Sequence, residues 1–445
     1  MIKRYLFAAM LLASGASSAE MASQGQRASV AGIDLVTYRT QVKDVVMIEG
    51  ALPAGDAMAG SGNIAVPTLT GMMIDRGTRS LDKFEIARQL DDVGAQISFG
   101  VGTQSVQVRA RCLTKDLPRV IGLIAAELRE PAMASGEFSK ARQQFIGSLE
   151  ASLQSTEARA QEAFGRAVFP PGHPNRPHTA AEYIAAAKTV RLEEVRAFHA
   201  SYYGPAHMTL VLAGDVPDDA REVVAKAFAG WTGGRDYLRA AAPARPAGPQ
   251  HAAIELKDKP SVTVVLGQAT GLSYRDPDAL PLHVGTAILG HGFTGRLMGI
   301  VRDKEGLTYN ISAAVAQDSI ADGYWDVTAS FAPSLLERGI ASTRREVERW
   351  WRDGVTETEL ADRKQGMVGG YYVGLSTTGG LAASILVALQ RGYDLGWLDG
   401  YPAAVEALTR EQVNAAIRAH LDPAKLVLVE AGSVPAAPVP AAPAN

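Results

Sequence analysis

Cysteine is almost missing: Cys112 is the single one in 445 residues. No disulfide can form within the chain, so its stability must come from buried apolar surface. The strand-like context of Cys112, VQVRARC, fits a buried structural thiol. No two of the eight histidines stand three or four residues apart. No helix therefore presents an imidazole pair on one face, the arrangement that a helical zinc site needs. H-E-x-x-H, H-x-x-E-H, a G-x-S-x-G elbow and a Walker-type phosphate loop are all missing. GHGFTG (290–295) falls inside a helical pattern rather than between a strand and a helix, which reads as a flexible glycine hinge. Charge of one sign is scarce too. A net charge of −3 argues against a nucleic-acid-binding surface. Beyond the N-terminus no apolar run approaches the ~18 residues of a membrane span.

What is present begins with an export pattern. Lys3 and Arg4 precede the apolar stretch Tyr5 to Leu12, and small residues end at Ser17-Ser18-Ala19. That predicts a signal peptide over 1–19, cleavage before Glu20 and a periplasmic mature protein with no membrane anchor. The remaining ~425 residues suffice for two domains. An apolar content of 47% against 20% charged residues is that of an ordinary globular chain. EEVRAFHASYYGPAHMTLVLAG (193–214) and EQVNAAIRAHLDPAKLVLVEAG (411–432) align without a gap, each reading as helix, Pro turn and buried strand ending at glycine. VVMI (45–48) falls over TVVL (263–266) at the same offset. The Pro/Ala/Gly-rich stretch around 239–253 reads as a linker, and the Pro/Ala tail as disordered.

The expected layout is therefore a first domain over 28–235, a linker over 236–251, a second domain over 252–433 and a disordered tail over 434–445. Strands are expected at 34–40, 44–52 and 207–213, with helices at 64–75 and 81–93 and a hairpin at 95–112. The second half should repeat this with strands at 252–257, 261–267 and 425–431, a helix at 278–301 and a hairpin at 307–331. Capping boxes are predicted at Thr356–Glu359 and Thr409–Gln412. The fold class is α+β: two tandem homologous domains, each a mixed, mostly antiparallel sheet with helices packed on one face.

Several segments together resemble the pitrilysin/insulinase superfamily of zinc peptidases, including the mitochondrial processing peptidase subunits. IAVPTLTGMMIDRGTRS (64–80) is similar to that family's active-site helix, and GHPNRPHTAAEYI (172–184) to its linker region. HMTLVLAGD (207–215) is similar to its domain-ending strand, and ILGHGFTGRLMGIVRDKEGLTYNISA (288–313) to the second domain's glycine-rich segment and hairpin. The resemblance spans residues 30–432.

Anchored on Arg76-Gly77-Thr78, the family's H-x-x-E-H falls on Thr68 to Met72, so its metal and general-base positions are Thr68, Gly71 and Met72. None supplies the imidazole or carboxylate that zinc needs. The third ligand position falls near Ser148 or Leu149, with Glu150 close by. The resemblance therefore implies no metal and no cofactor in this chain. It retains Arg302 and Tyr309, which in the family face the zinc site from the last domain and touch substrate. Such preorganised donors are worth ~10²–10³ in rate each. Arg302 is expected at a helix end and Tyr309 on the strand that follows. Gly290, His291 and Gly292 are further substrate-contact candidates. His173 and His178 read as structural, and Trp350-Trp351 as packed or at an interface.

The implied function is that of a non-catalytic subunit. A homologous, zinc-motif-bearing partner would complete a heterodimer that cleaves peptides or unfolded polypeptides in a closed chamber, with zinc in the partner. The alternative is a non-enzymatic peptide-binding or structural assembly subunit.

Overall fold

A computed structural model describes residues 21–240, 242–246 and 248–434. The expected signal peptide and residues 435–445 of the expected tail lie outside the described residues.

Eleven strands build two sheets among the described residues. The first holds β1 (Gly25–Val30), β2 (Ile33–Arg39), β3 (Val45–Leu52), β4 (Gln96–Val101), β5 (Val106–Leu113) and β6 (Thr209–Gly214), in the order β1-β2-β6-β3-β5-β4. The second holds β7 (Gln250–Glu255), β8 (Val262–Ala269), β9 (Thr308–Ala316), β10 (Tyr324–Phe331) and β11 (Val427–Gly432), in the order β7-β11-β8-β10-β9. Without β1, the two orders are the same. In each sheet one pair is parallel, β2 with β6 and β7 with β11, and the other pairs are antiparallel. The repeat seen in sequence is thus a repeat of topology. β6 and β11 are its equivalent central strands, and every residue of both is buried. Each ends on a glycine with positive φ, 125° at Gly214 and 151° at Gly432. A side chain at Gly214 would put its Cβ 2.1 Å from the Val45 carbonyl oxygen, so only glycine lets the chain leave the sheet there.

Alternate residues on the central strands serve two different cores. Leu210 and Leu212 of β6, with Val46 and Ile48 of β3, face the helices of their own half. Among these is α1 (Val66–Gly71), and another is α2 (Leu117–Arg129), which contributes Val120, Ile121 and Ile124. Ser135–Ser152 (α3) packs on the same core. The other face carries Val36, Ala51, Val211 and Ala213, and a helix from the second half covers it. This is α6 (Thr378–Gln390), through Leu381, Ile385 and Leu386. The exchange is reciprocal. Thr156–Val168 (α4), a first-half helix, sets Ala160, Phe164 and Val168 on Val265, Val427, Val429 and Ala431 of the second sheet. Coverage on both faces is why β8 reads VTVVLGQA, apolar nearly throughout, instead of alternating.

Segment 172–178 fastens the halves together. His173 is buried, stacks on Phe169 with ring centroids 4.4 Å apart, and places Nε2 2.9 Å from Asp322 Oδ1. The Asn175 amide N–H donates to His173 Nδ1, and Nε2 faces Asp322. Asn175 Nδ2 donates to the Gln317 and Asp322 carbonyls, and Asp322 Oδ2 accepts from the Ala244 amide. Each polar atom of this buried cluster that would be costly alone is thereby matched.

Three local expectations change. β1 was not expected; its sequence GQRASV is polar, and only its pairing with β2 makes it a strand. The first strand of the second half begins at Gln250, inside the stretch read as linker. The helix expected over 278–301 is two elements. Ala279–Gly290 (α5) ends at the glycine-rich loop, and Met298–Lys304 follows as a π-helix. Trp350 is fully buried, stacked 5.9 Å from Trp325, and its Nε1 donates to the Gly285 carbonyl. It is a core residue.

Candidate functional site

In the first half, the segment at the family's metal position is packed shut. α1 is one and a half turns long, where 64–75 was expected. Pro67 sits in its first turn and the Thr70 hydroxyl bonds back to the Val66 carbonyl. Thr68 Oγ1 donates to the Asp56 carboxylate, which also accepts from the Tyr183 hydroxyl. Burial outweighs these two donors and pushes the Asp56 carboxyl up to about 6. A Cβ added at Gly71 would stand 2.1 Å from Val101 Cγ2 on β4. The space a glutamate would need is already filled by that valine. Met72 is half-buried against the first-half core. Leu149 packs there too, while Glu150 is exposed. Among the described residues no group of three His, Cys, Asp or Glu is placed to hold a metal ion. The residues present do not fit zinc, either by donor chemistry or by room.

In the second half the site is open. The π-helix ends near Arg302, a widened turn of the kind found at functional sites. The Glu305 amide bonds five residues back to Ile300, and the chain then reverses at Gly306, φ 63°. This turn brings Arg302 against Tyr309, the second residue of β9, with its guanidinium carbon 5.0 Å from the ring centroid. Phe293, in the glycine-rich loop, stands 5.2 Å from the same guanidinium. Arg302 is thus flanked by two rings, each contact a cation–π pair worth ~0.5–1 kcal/mol at an exposed site. Tyr309 is 83% exposed and Phe293 75% exposed.

The other candidates surround this trio. Gly290 closes α5 so tightly against β9 that a Cβ would fall 2.3 Å from the Ala313 amide nitrogen. Gly292 has φ 68°, and His291, exposed, offers its carbonyl to Arg363 Nη2 at 3.2 Å. The glycines therefore shape the loop, and Phe293 is the side chain it projects. Sequence reasoning passed over Phe293. The available signal was a lone aromatic between the glycines of GHGFTG. Asp56 was missed as well, since no spacing rule links it to Thr68. Cys112 is buried, its thiol pushed up to about 12 by burial, and is inert.

β4 and β9 are the edge strands at matching positions of their sheets. β4 runs beside α1 and β9 carries Tyr309, so each candidate segment lies next to a strand with an unpaired side.

Residues 189–367 match the family model described as the peptidase M16 inactive domain. An uncharacterized zinc protease of Mycobacterium tuberculosis is 24% identical over 364 residues, covering 78% of this chain and 79% of the relative. A non-peptidase homologue of Helicobacter pylori is 18% identical over 403 residues, covering 89% and 91%. Among solved structures, the M16 inactive domain from Pseudomonas fluorescens superposes with TM-score 0.84 at 22% identity, covering 93% of this chain and 98% of that one. A protease from Helicobacter pylori superposes with TM-score 0.81 at 16% identity, covering 91% and 98%. Over residues 189–367 the chain is thus similar to the peptidase M16 inactive domain, and its two mixed sheets have the fold of the solved M16 inactive-domain structure.

Proposed function

We propose that this chain is the non-catalytic subunit of a heteromeric zinc peptidase. A homologous partner with an intact H-x-x-E-H would bear the zinc, and the two chains would close as half-shells around a chamber. The unpaired edges of β4 and β9 suit an extended peptide added as a further strand. Arg302 and Tyr309 would reach the substrate in trans, the guanidinium as a charged donor and the phenol as a neutral one. The substrate class is a peptide or unfolded polypeptide able to enter the chamber. The N-terminal export pattern supports a periplasmic site of action. The observation that carries the reading is the contrast between the halves. The first-half site is filled by Val101 and bonded to Asp56, while Arg302 and Tyr309 lie 5.0 Å apart on an open face.

The test is a quenched-peptide assay on this chain, on a zinc-motif homologue sought in the neighbouring reading frames, and on their mixture, each with and without chelator. Activity only in the untreated mixture is expected. In that mixture, Arg302→Ala and Tyr309→Phe should each lower kcat by ~10²-fold or more. Unchanged turnover in an intact complex would sink the in-trans role. The similarity to a protein named a non-peptidase homologue favours the second reading, a peptide-holding or assembly subunit. Inactivity of the mixture, with peptide still bound, would select it.

A further inference from the structure

A second site lies apart from the Arg302 face, where α6 meets two other helices of the second half. Glu357–Leu375 (α7) and Leu395–Ala407 (α8) flank α6 there. A cavity of about 310 Å³ opens between them. Tyr274, Tyr371, Trp397 and Tyr401 form its walls, and Arg391, at the end of α6, lines it. The rings are mutually braced. Tyr371 and Tyr401 have centroids 4.8 Å apart, Trp397 and Tyr401 5.4 Å, and Tyr274 and Trp397 6.0 Å. The Tyr371 hydroxyl donates to the Leu398 carbonyl, which fixes that wall.

Arg391 is the unusual member. Its guanidinium carbon lies over Tyr274, 3.5 Å from the ring centroid, and Nε donates to Ser319 Oγ. No ion pair involves it among the described residues. The carboxylates nearby are engaged elsewhere: Asp318 with His283 at 2.6 Å, Asp276 with Ser273, and Asp399 with the Met21 and Ala22 amides. A cation stacked in an aromatic wall, with terminal N–H groups uncommitted, complements a planar anion. The volume is at the small end of the ~300–1,000 Å³ range of ligand pockets, room for about one aromatic residue.

We propose that this cavity binds an aromatic carboxylate, with the ring against the wall formed by Trp397 and Tyr401 and the carboxylate on Arg391. A free aromatic acid and the C-terminal residue of a peptide share that chemistry. A neighbouring cavity of about 300 Å³ shares Tyr371 and Tyr401 as walls and gives a peptide room to continue. The proposal does not depend on a peptidase partner, so it is tested on this chain alone.

The test is calorimetric titration of the purified full chain with N-acetylphenylalanine, a hexapeptide ending in phenylalanine, and the C-terminal amide of each. The acids should bind and the amides should bind at least tenfold more weakly. A hexapeptide acid tighter than the single residue assigns the site to chain ends, and equal affinities assign it to free acids. Arg391→Gln should weaken the acids tenfold or more and leave the amides unchanged. Val387→Glu serves if that variant does not fold. Val387 lines the cavity at 39% exposure, and a carboxylate there should repel the acids alone. Equal affinity for acid and amide, or no binding by either at millimolar concentration, would overturn the proposal.

Discussion

Phe164 tests the helix exchange most directly. It belongs to the first half by sequence, yet it is fully buried against the second sheet, edge-on to Tyr324 at 5.2 Å. Its ring lies so close to β8 that a Cβ on Gly267 would stand 2.8 Å from its Cζ. Phe164→Ala removes this contact and leaves a cavity that the flat sheet face cannot close, at a cost of ~3–5 kcal/mol. Each ~1.4 kcal/mol is a tenfold change in an opening equilibrium. Amide protons of β8 and β11 should therefore lose about two to three decades of protection. Those of β3 and β6 in the first sheet should lose far less. Hydrogen exchange read by mass spectrometry, peptide by peptide, gives both quantities on one sample. It also avoids treating so large a chain as a single two-state unit. Ile385→Ala on α6 is the mirror experiment, with the loss expected in β3 and β6. Protection lost from the first sheet on Phe164→Ala, with β8 and β11 unchanged, would refute the exchange.

Two further outcomes follow from the first-half site, beside the in-trans variants above. The Asp56 carboxyl is raised to about 6 from an unfolded value near 4, so the folded state holds its proton more tightly. That contribution is complete below pH ~4 and is lost as the pH rises through 6; Asp56→Asn should remove this slope and raise stability at pH 7 by up to ~3 kcal/mol, measured by urea unfolding across pH. Unaltered pH dependence in that variant would show that Asp56 does not govern it. Writing the metal motif back as Thr68→His, Gly71→Glu and Met72→His should yield a destabilised protein that binds no zinc in equilibrium dialysis, because Val101 occupies the glutamate's place; stoichiometric zinc would show that β4 can yield.

The repeat was legible because both copies carry the same constraint. A strand buried on two faces must be apolar throughout, and the chain leaving it must pass through a glycine conformation. Leu210 to Gly214 and Leu428 to Gly432 meet both demands. The capping boxes at Thr356 and Thr409 were legible because they are local hydrogen-bond rules, and both are present. The exchange was not legible. TGGLAASILVALQ is apolar on every side, so its pattern says that α6 is covered without saying by which sheet. β1 escaped for the opposite reason, as its residues show no apolar pattern and its pairing alone defines it. At the candidate site, the family resemblance pointed to Arg302 and Tyr309, and one short turn brings them together. Sequence reasoning missed Phe293 and Asp56, whose partners lie in other elements.

The two halves share a topology and treat their equivalent edges in opposite ways. Beside β4 the chain spends its side chains inward: Val101 against Gly71, Thr68 and Tyr183 on Asp56, Met72 into the core. Nothing there is left for a ligand to displace except a packed valine. Beside β9 it does the reverse, holding Phe293 and Tyr309 in solvent around a cation. Leaving two large rings exposed forgoes ~1.5–3 kcal/mol for each that burial would have returned. An aromatic–Arg–aromatic cluster has the composition of an interface anchor. The two edges therefore differ in packing as well as in the missing histidines, and it is this difference on which the proposed role of the second half rests.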